Sequence, residues 1–192
     1  MSHPILTTDQ FVLRRKVLRL IGAGFHFYDA HDKLLAFAEL KGFKLKEDLR
    51  IFADEAKSQE LIRISARQIL DISANYDVFD STIGEKVGVL QRKGLKSILR
   101  DEWLIKDAQD REIGMIFEDN WALAIFRRII ALLPQRYDAV LGGVKVADLH
   151  QNFNPFVFKL AVDFTPDRER RFDRRLGLAA ALLLAAIEGR QK

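Results

Sequence analysis

The sequence predicts a mainly β domain, about twelve antiparallel strands closed into a barrel around a hydrophobic helix from the C-terminal end. Three observations carry this prediction. Short apolar runs with period-2 alternation follow one another about every ten residues with turn residues between them, the spacing of a sandwich or barrel. A hairpin motif recurs along the chain. Finally, Leu176 to Ile187 contains no polar side chain at all, so a helix there is apolar on every face and cannot lie on a wet surface.

Strand patterns begin at Phe11. Ile62, Ile64 and Ala66 alternate with Arg63, Ser65 and Arg67, as in a half-buried strand. Asp29-Ala30-His31-Asp32-Lys33-Leu34-Leu35-Ala36 matches Asp107-Ala108-Gln109-Asp110-Arg111-Glu112-Ile113-Gly114, and Asp80 to Gly88 is a looser copy. In each, a strand ends at an Asp whose short side chain can bond the turn backbone, which predicts three hairpins of one kind. Two copies share a tail: Lys41-Gly42-Phe43-Lys44 leads to Leu49-Arg50, and Lys93-Gly94-Leu95-Lys96 leads to Leu99-Arg100. Diverged copies without a strict period argue for one meandering barrel and against a solenoid.

Trp121 to Leu133 breaks the β pattern, with Asn120 as N-cap and Pro134 as stop, and predicts a largely buried second helix. A long strand follows, with Phe156, Phe158, Leu160, Val162 and Phe164 on one face. Thr165-Pro166-Asp167 then reads as a helix start, with a cap, a proline and an acid in the first turn, and the helix runs to about Glu188. Its apolar stretch reaches roughly 18 Å at about 1.5 Å per residue, short of a hydrocarbon core of about 30 Å, so a lumen is a better home than a bilayer. Burying Leu176, Leu178, Leu182, Leu183, Leu184 and Ile187 contributes on the order of 9–18 kcal/mol, comparable with a whole domain's net stability.

The chain has 192 residues, 48% of them apolar, which suits one domain over residues 10–190 after a flexible segment 1–9. Without cysteine there are no disulfides, thiolate metal sites or cysteine nucleophiles. The first residues, Met1 to Asp9, carry no basic segment followed by an apolar run, and the expected location is the cytoplasm. His3, His26, His31 and His150 have no paired ligand spacing and read as surface or loop residues; no metal and no cofactor is expected. The sequence lacks a Gly-x-Ser-x-Gly elbow, a Walker loop, His-Glu-x-x-His and Gly-x-Gly-x-x-Gly, and the expectation is a non-enzyme.

The chain resembles the LURP-one-related family of the tubby C-terminal-like superfamily, which includes the phospholipid scramblases. The resemblance is carried by Arg14-Arg15-Lys16-Val17-Leu18, Phe27-Tyr28-Asp29-Ala30, Lys44 to Arg50, Arg67 to Asp71, Tyr76 to Asp80, Gly94 to Trp103 and Asp110 to Gly114. It implies a twelve-stranded antiparallel barrel around a central hydrophobic helix, matching the reading from the residues. For function it implies phosphoinositide binding at a basic surface pocket, or association with membrane lipid. The tubby phosphoinositide residues have no one-to-one match here, and the cysteine-rich and calcium-binding segments of scramblases are absent.

A formal charge of +4 permits an anionic partner. The two Lys-Gly elements predict where it binds: Lys41, Lys44, Lys46, Arg50, Lys93, Lys96 and Arg100 form an anion cradle if the repeats are neighbours, with glycine allowing close backbone approach to a phosphate. The bland alternative is that these cations face solvent or pair with Glu47, Asp48, Asp101 and Glu102. Arg170, Arg171, Arg174 and Arg175 read as a solvated first turn at the barrel mouth. The expected function is a binding module for anionic phospholipid or phosphoinositide headgroups, peripheral at the inner membrane surface. A small-molecule or protein-interaction barrel is the rival, and a nucleic-acid-binding regulator comes third, since no recognition motif accompanies the modest charge.

Overall fold

Alternation sorts the strand side chains into two sets, and the pairing of strands puts one set inside. The computed structural model describes residues 3–18, 22–41, 49–70, 73–93, 102–118, 135–152 and 158–187. They contain β1 (Gln10–Leu18), β2 (Gly22–Tyr28), β3 (Leu34–Lys41), β4 (Leu49–Phe52), β5 (Glu60–Leu70) and β6 (Ser73–Asp80). The second half supplies β7 (Glu85–Arg92), β8 (Glu102–Lys106), β9 (Glu112–Glu118), β10 (Arg136–Leu141), β11 (Val144–Gln151) and β12 (Phe158–Asp163), followed by helix α1 (Arg174–Ile187). Every strand pairs antiparallel with its neighbours in the chain, and β1 pairs with β12 from Gln10 opposite Asp163 to Arg15 opposite Phe158. The sheet is therefore a closed up-and-down barrel with no free edge.

Register carries the inner set from strand to strand. Phe11 stands opposite Val162, and Leu13 opposite both Leu160 and Phe27. Leu49 faces Ile64, which faces Val78. All of these are buried, whereas Arg63 and Ser65 of the opposite set are half-buried and Arg67 is exposed. Leu160, Val162 and Phe164 lie inside as their alternation requires; Phe156 and Val157 fall outside the described residues, as do the helix predicted over 121–133 and Lys44, Lys46, Lys96 and Arg100.

Every residue of α1 except Arg175 is buried, on all faces, as a helix surrounded by barrel wall must be. Its small residues permit close approach. A Cβ on Gly177 would stand 2.3 Å from Cζ of Phe164, and one on Gly88 in β7 would stand 2.4 Å from the Lys106 carbonyl and 3.1 Å from Leu176. The helix begins later than Thr165-Pro166-Asp167 suggests. Those residues form turns, with the Asp167 N–H donating to the Phe164 carbonyl at 2.9 Å and Arg170 at φ +52°. The cap is Asp173, whose Oδ1 accepts the Arg175 N–H at 2.9 Å while its carbonyl accepts the Gly177 N–H at 3.1 Å. The carboxylate of Asp167 instead accepts the N–H groups of Arg171 and Phe172, both at 2.9 Å, which folds the chain back across the barrel end. At the same end the N-terminal segment, expected to be a flexible lead, places Ile5 in the core.

Candidate functional site

Because successive strands are antiparallel, all odd-numbered strands run toward one end of the barrel and all even-numbered strands run back. The short hairpins and the start of α1 after β12 therefore share one end, the entry end. At the opposite end, the far rim, β3 finishes at Lys41 and β7 at Arg92, with Lys93 next.

At the entry end the first Asp of each motif copy holds backbone. Asp29 Oδ1 accepts the N–H groups of His31 and Lys33 at 2.8 and 2.9 Å, and Asp107 Oδ1 those of Gln109 and Arg111 at 2.9 and 3.0 Å. Asp32 and Asp110, the second acid of each motif copy, sit at φ +60° and +65°, a region aspartate tolerates better than most residues. The repeated motif is thus a turn device. Backbone hydrogen bonds, led by that from Lys33, hold the Asp29 carboxyl below its ordinary value.

Arg174 corrects the expectation of a solvated first turn. Its side chain is 7% exposed and donates from Nη1 to Asp167 Oδ2 and from Nη2 to Asp9 Oδ1, both at 2.8 Å. Its guanidinium also stands 4.6 Å from the centre of the Phe164 ring. Arg175 donates to Asp80 Oδ2 at 2.8 Å and to its neighbour Asp173 at 2.6 Å. Burial pushes the carboxyls of Asp80 and Asp167 up, but the hydrogen bonds they accept outweigh it and leave both below the usual range. The helix entrance is therefore clamped by ion pairs. Arg170 and Arg171 are exposed, as expected.

Of the predicted cradle, three members fall on described residues. Lys41 and Lys93 end up on the same rim. Arg50, the second residue of β4, turns away from that rim and donates from Nη1 to Glu60 Oε2 at 3.0 Å, and Lys93 Nζ lies 3.4 Å from Glu102 Oε2. β4 and β7 are separated by β5 and β6, about 14 Å along the wall at about 4.8 Å per strand. The two repeats are thus near each other without being adjacent. Lys44, Lys46, Lys96 and Arg100 lie outside the described residues.

Three rimward cations were not among the site residues expected from the sequence: Lys16 on β1, Arg136 on β10 and Lys159 on β12. No carboxylate among the described residues pairs with them. Strand alternation alone puts Lys16 on the outer face, but its grouping with residues more than a hundred positions away depends on closure. His26 and His150 are strand residues rather than loop residues; burial, then the nearby Arg136 charge, lowers the His150 pKa.

Among the described residues no three His, Asp or Glu side chains are grouped to hold a metal ion, and no helix is long and apolar enough to cross a membrane. No protein-family model, curated protein or solved structure matches the chain.

Proposed function

We propose that the chain is a LURP-one-related, tubby-like binding module without enzymatic activity that docks on anionic phospholipid or phosphoinositide headgroups through a basic barrel face. The observation behind this reading is the placement of Lys41 and Lys93: the leading cations of both Lys-Gly elements stand at strand ends on one rim. The strands joined by the segments carrying Lys44, Lys46, Lys96 and Arg100 also end there. The ion pairs of Arg50 and Lys93 are at the surface, where such pairs contribute about 0–1 kcal/mol, and a phosphate can compete for either cation. The family resemblance points the same way, toward a peripheral position at the inner face of a membrane.

Sedimentation with phosphatidylserine- or phosphoinositide-containing vesicles tests the reading. Lys93→Glu combined with Lys96→Glu should abolish binding with the circular dichroism spectrum unchanged. Wild-type binding should weaken as salt rises past about 0.15 M, where the Debye length is about 8 Å. Failure of the wild-type protein to sediment with any anionic vesicle would sink the proposal.

A further inference from the structure

On the part of the outer wall formed by β10, β11, β12 and β1, described cations and carboxylates separate along the barrel axis. Arg136 is the first residue of β10, Lys159 the second of β12 and Lys16 lies near the end of β1, so all three stand toward the far rim on neighbouring parts of the wall. Register sets their spacing, the row through Arg136 and His150 continuing to Ala161, one outward position short of Lys159. Arg136 is directly opposite His150, Lys159 is opposite Arg14, and Lys16 lies one outward position beyond Arg14. Nearer the entry end on the same wall, Asp138 is opposite Asp148, which is opposite Asp163. Lys145 bridges the first two of these, at 2.9 and 2.5 Å, leaving an excess of negative charge in that row. The entry-end turns carry both signs, with Asp29, Asp54, Glu55 and Asp107 beside Lys33, Lys57, Arg111 and Arg168, so the separation belongs to this wall.

We infer that Lys16, Arg136 and Lys159 form a further docking surface, which sets the barrel end-on against an anionic lipid bilayer with its far rim down. This rests on the proposed headgroup binding and adds the residues and the orientation. A side-on approach would press the row of Asp138, Asp148 and Asp163 against the lipid charge; an end-on approach keeps that row away from it. The cations stand on separate strands of a convex wall. Anionic lipids diffuse laterally and can meet each of them independently, whereas a nucleic-acid strand carries its phosphates at fixed spacing and is usually tracked by a groove with aromatic platforms.

Each such cation near an anionic surface changes partitioning about fivefold, so removing three changes it about a hundredfold. The test compares wild type, the rim variant Lys16→Gln/Arg136→Gln/Lys159→Gln and an entry-end variant of equal net charge, Lys33→Gln/Lys106→Gln/Arg168→Gln. The probes are phosphatidylcholine vesicles alone, with phosphatidylserine, and with a phosphoinositide at matched total charge. About a hundredfold loss in the rim variant on both anionic vesicles, with little loss in the entry-end variant, is the expected result. Equal losses in the two variants would show that net charge acts without orientation and would overturn the inference while headgroup binding stands. So would a rim variant that binds like wild type. A wild type that binds neither anionic vesicle overturns both proposals, and tighter binding to single-stranded DNA than to vesicles at matched salt would assign the rim to nucleic acid. Circular dichroism and melting of each variant show that the barrel is intact.

Discussion

Arg174→Met removes the charge that holds the helix entrance and keeps most of the side-chain volume. Asp167, its partner, has a side chain 1% exposed, so in the variant its carboxylate keeps the Arg171 and Phe172 N–H groups but loses its countercharge. Breaking a buried pair on one side costs about 3–5 kcal/mol, because the charge left behind is still desolvated. That is a large part of a typical net stability of about 5–15 kcal/mol. Urea unfolding at pH 7 should show this loss, and Asp167→Asn in the Arg174→Met background should recover part of it. The pH dependence has a definite sign. In the wild type the Asp167 pKa is below its unfolded value, so its contribution is present at neutral pH and fades as pH falls through the folded value, below about 4. The variant lacks that pairing, so the gap between the two proteins should narrow on acidification. A loss under about 1 kcal/mol at pH 7, the range of a solvated surface arginine, would refute the clamp.

Two further predictions concern the core. Ending the chain after Phe164 should prevent cooperative folding, since the inner faces of the strands would meet water, and Leu183→Asp should be nearly as damaging because its carboxylate would be buried without a partner; a truncated protein that melts near the wild-type temperature would contradict the enclosed helix. Gly177→Ala should lower the melting temperature although alanine favours helix by about 1 kcal/mol, because its Cβ collides with a Phe164 ring already packed against Phe11 and Phe172. Phe164→Leu should relieve part of that loss, and a stabilised Gly177→Ala would show that the ring has room to move.

The strand count and the enclosed helix were legible because each depends on a local period, two along strands such as Ile62–Arg67 and apolar on every side over Leu176–Ile187, and the closed barrel followed as the wall that such a helix needs. The turn motif was legible for the same reason, since Asp29 and Asp107 bond to backbone within four residues of themselves. The helix start was not. Thr165-Pro166-Asp167 has the composition of a cap, but Asp167 is drawn to Arg174, and Arg174 also to Asp9, which is 165 positions away. No local pattern encodes that partner. The candidate site divides in the same way: the Lys-Gly elements stand out as repeats, whereas which cations share a rim is decided by strand direction, and Lys16 joins the wall that carries Arg136 and Lys159 only after the sheet closes.

Closure of the sheet between β1 and β12 also has a consequence for how the chain is made. The strand that seals the barrel and the helix that occupies it leave the ribosome after β1 to β11, and β1 emerges before all of them. Until β12 and α1 emerge, the growing sheet has an unpaired edge at β1 and an unfilled inner face, the features that recruit chaperones or drive association between nascent chains. Protection of β1 amides should therefore arise only once β12 and α1 have emerged, in one step with burial of α1, rather than strand by strand as the hairpins emerge.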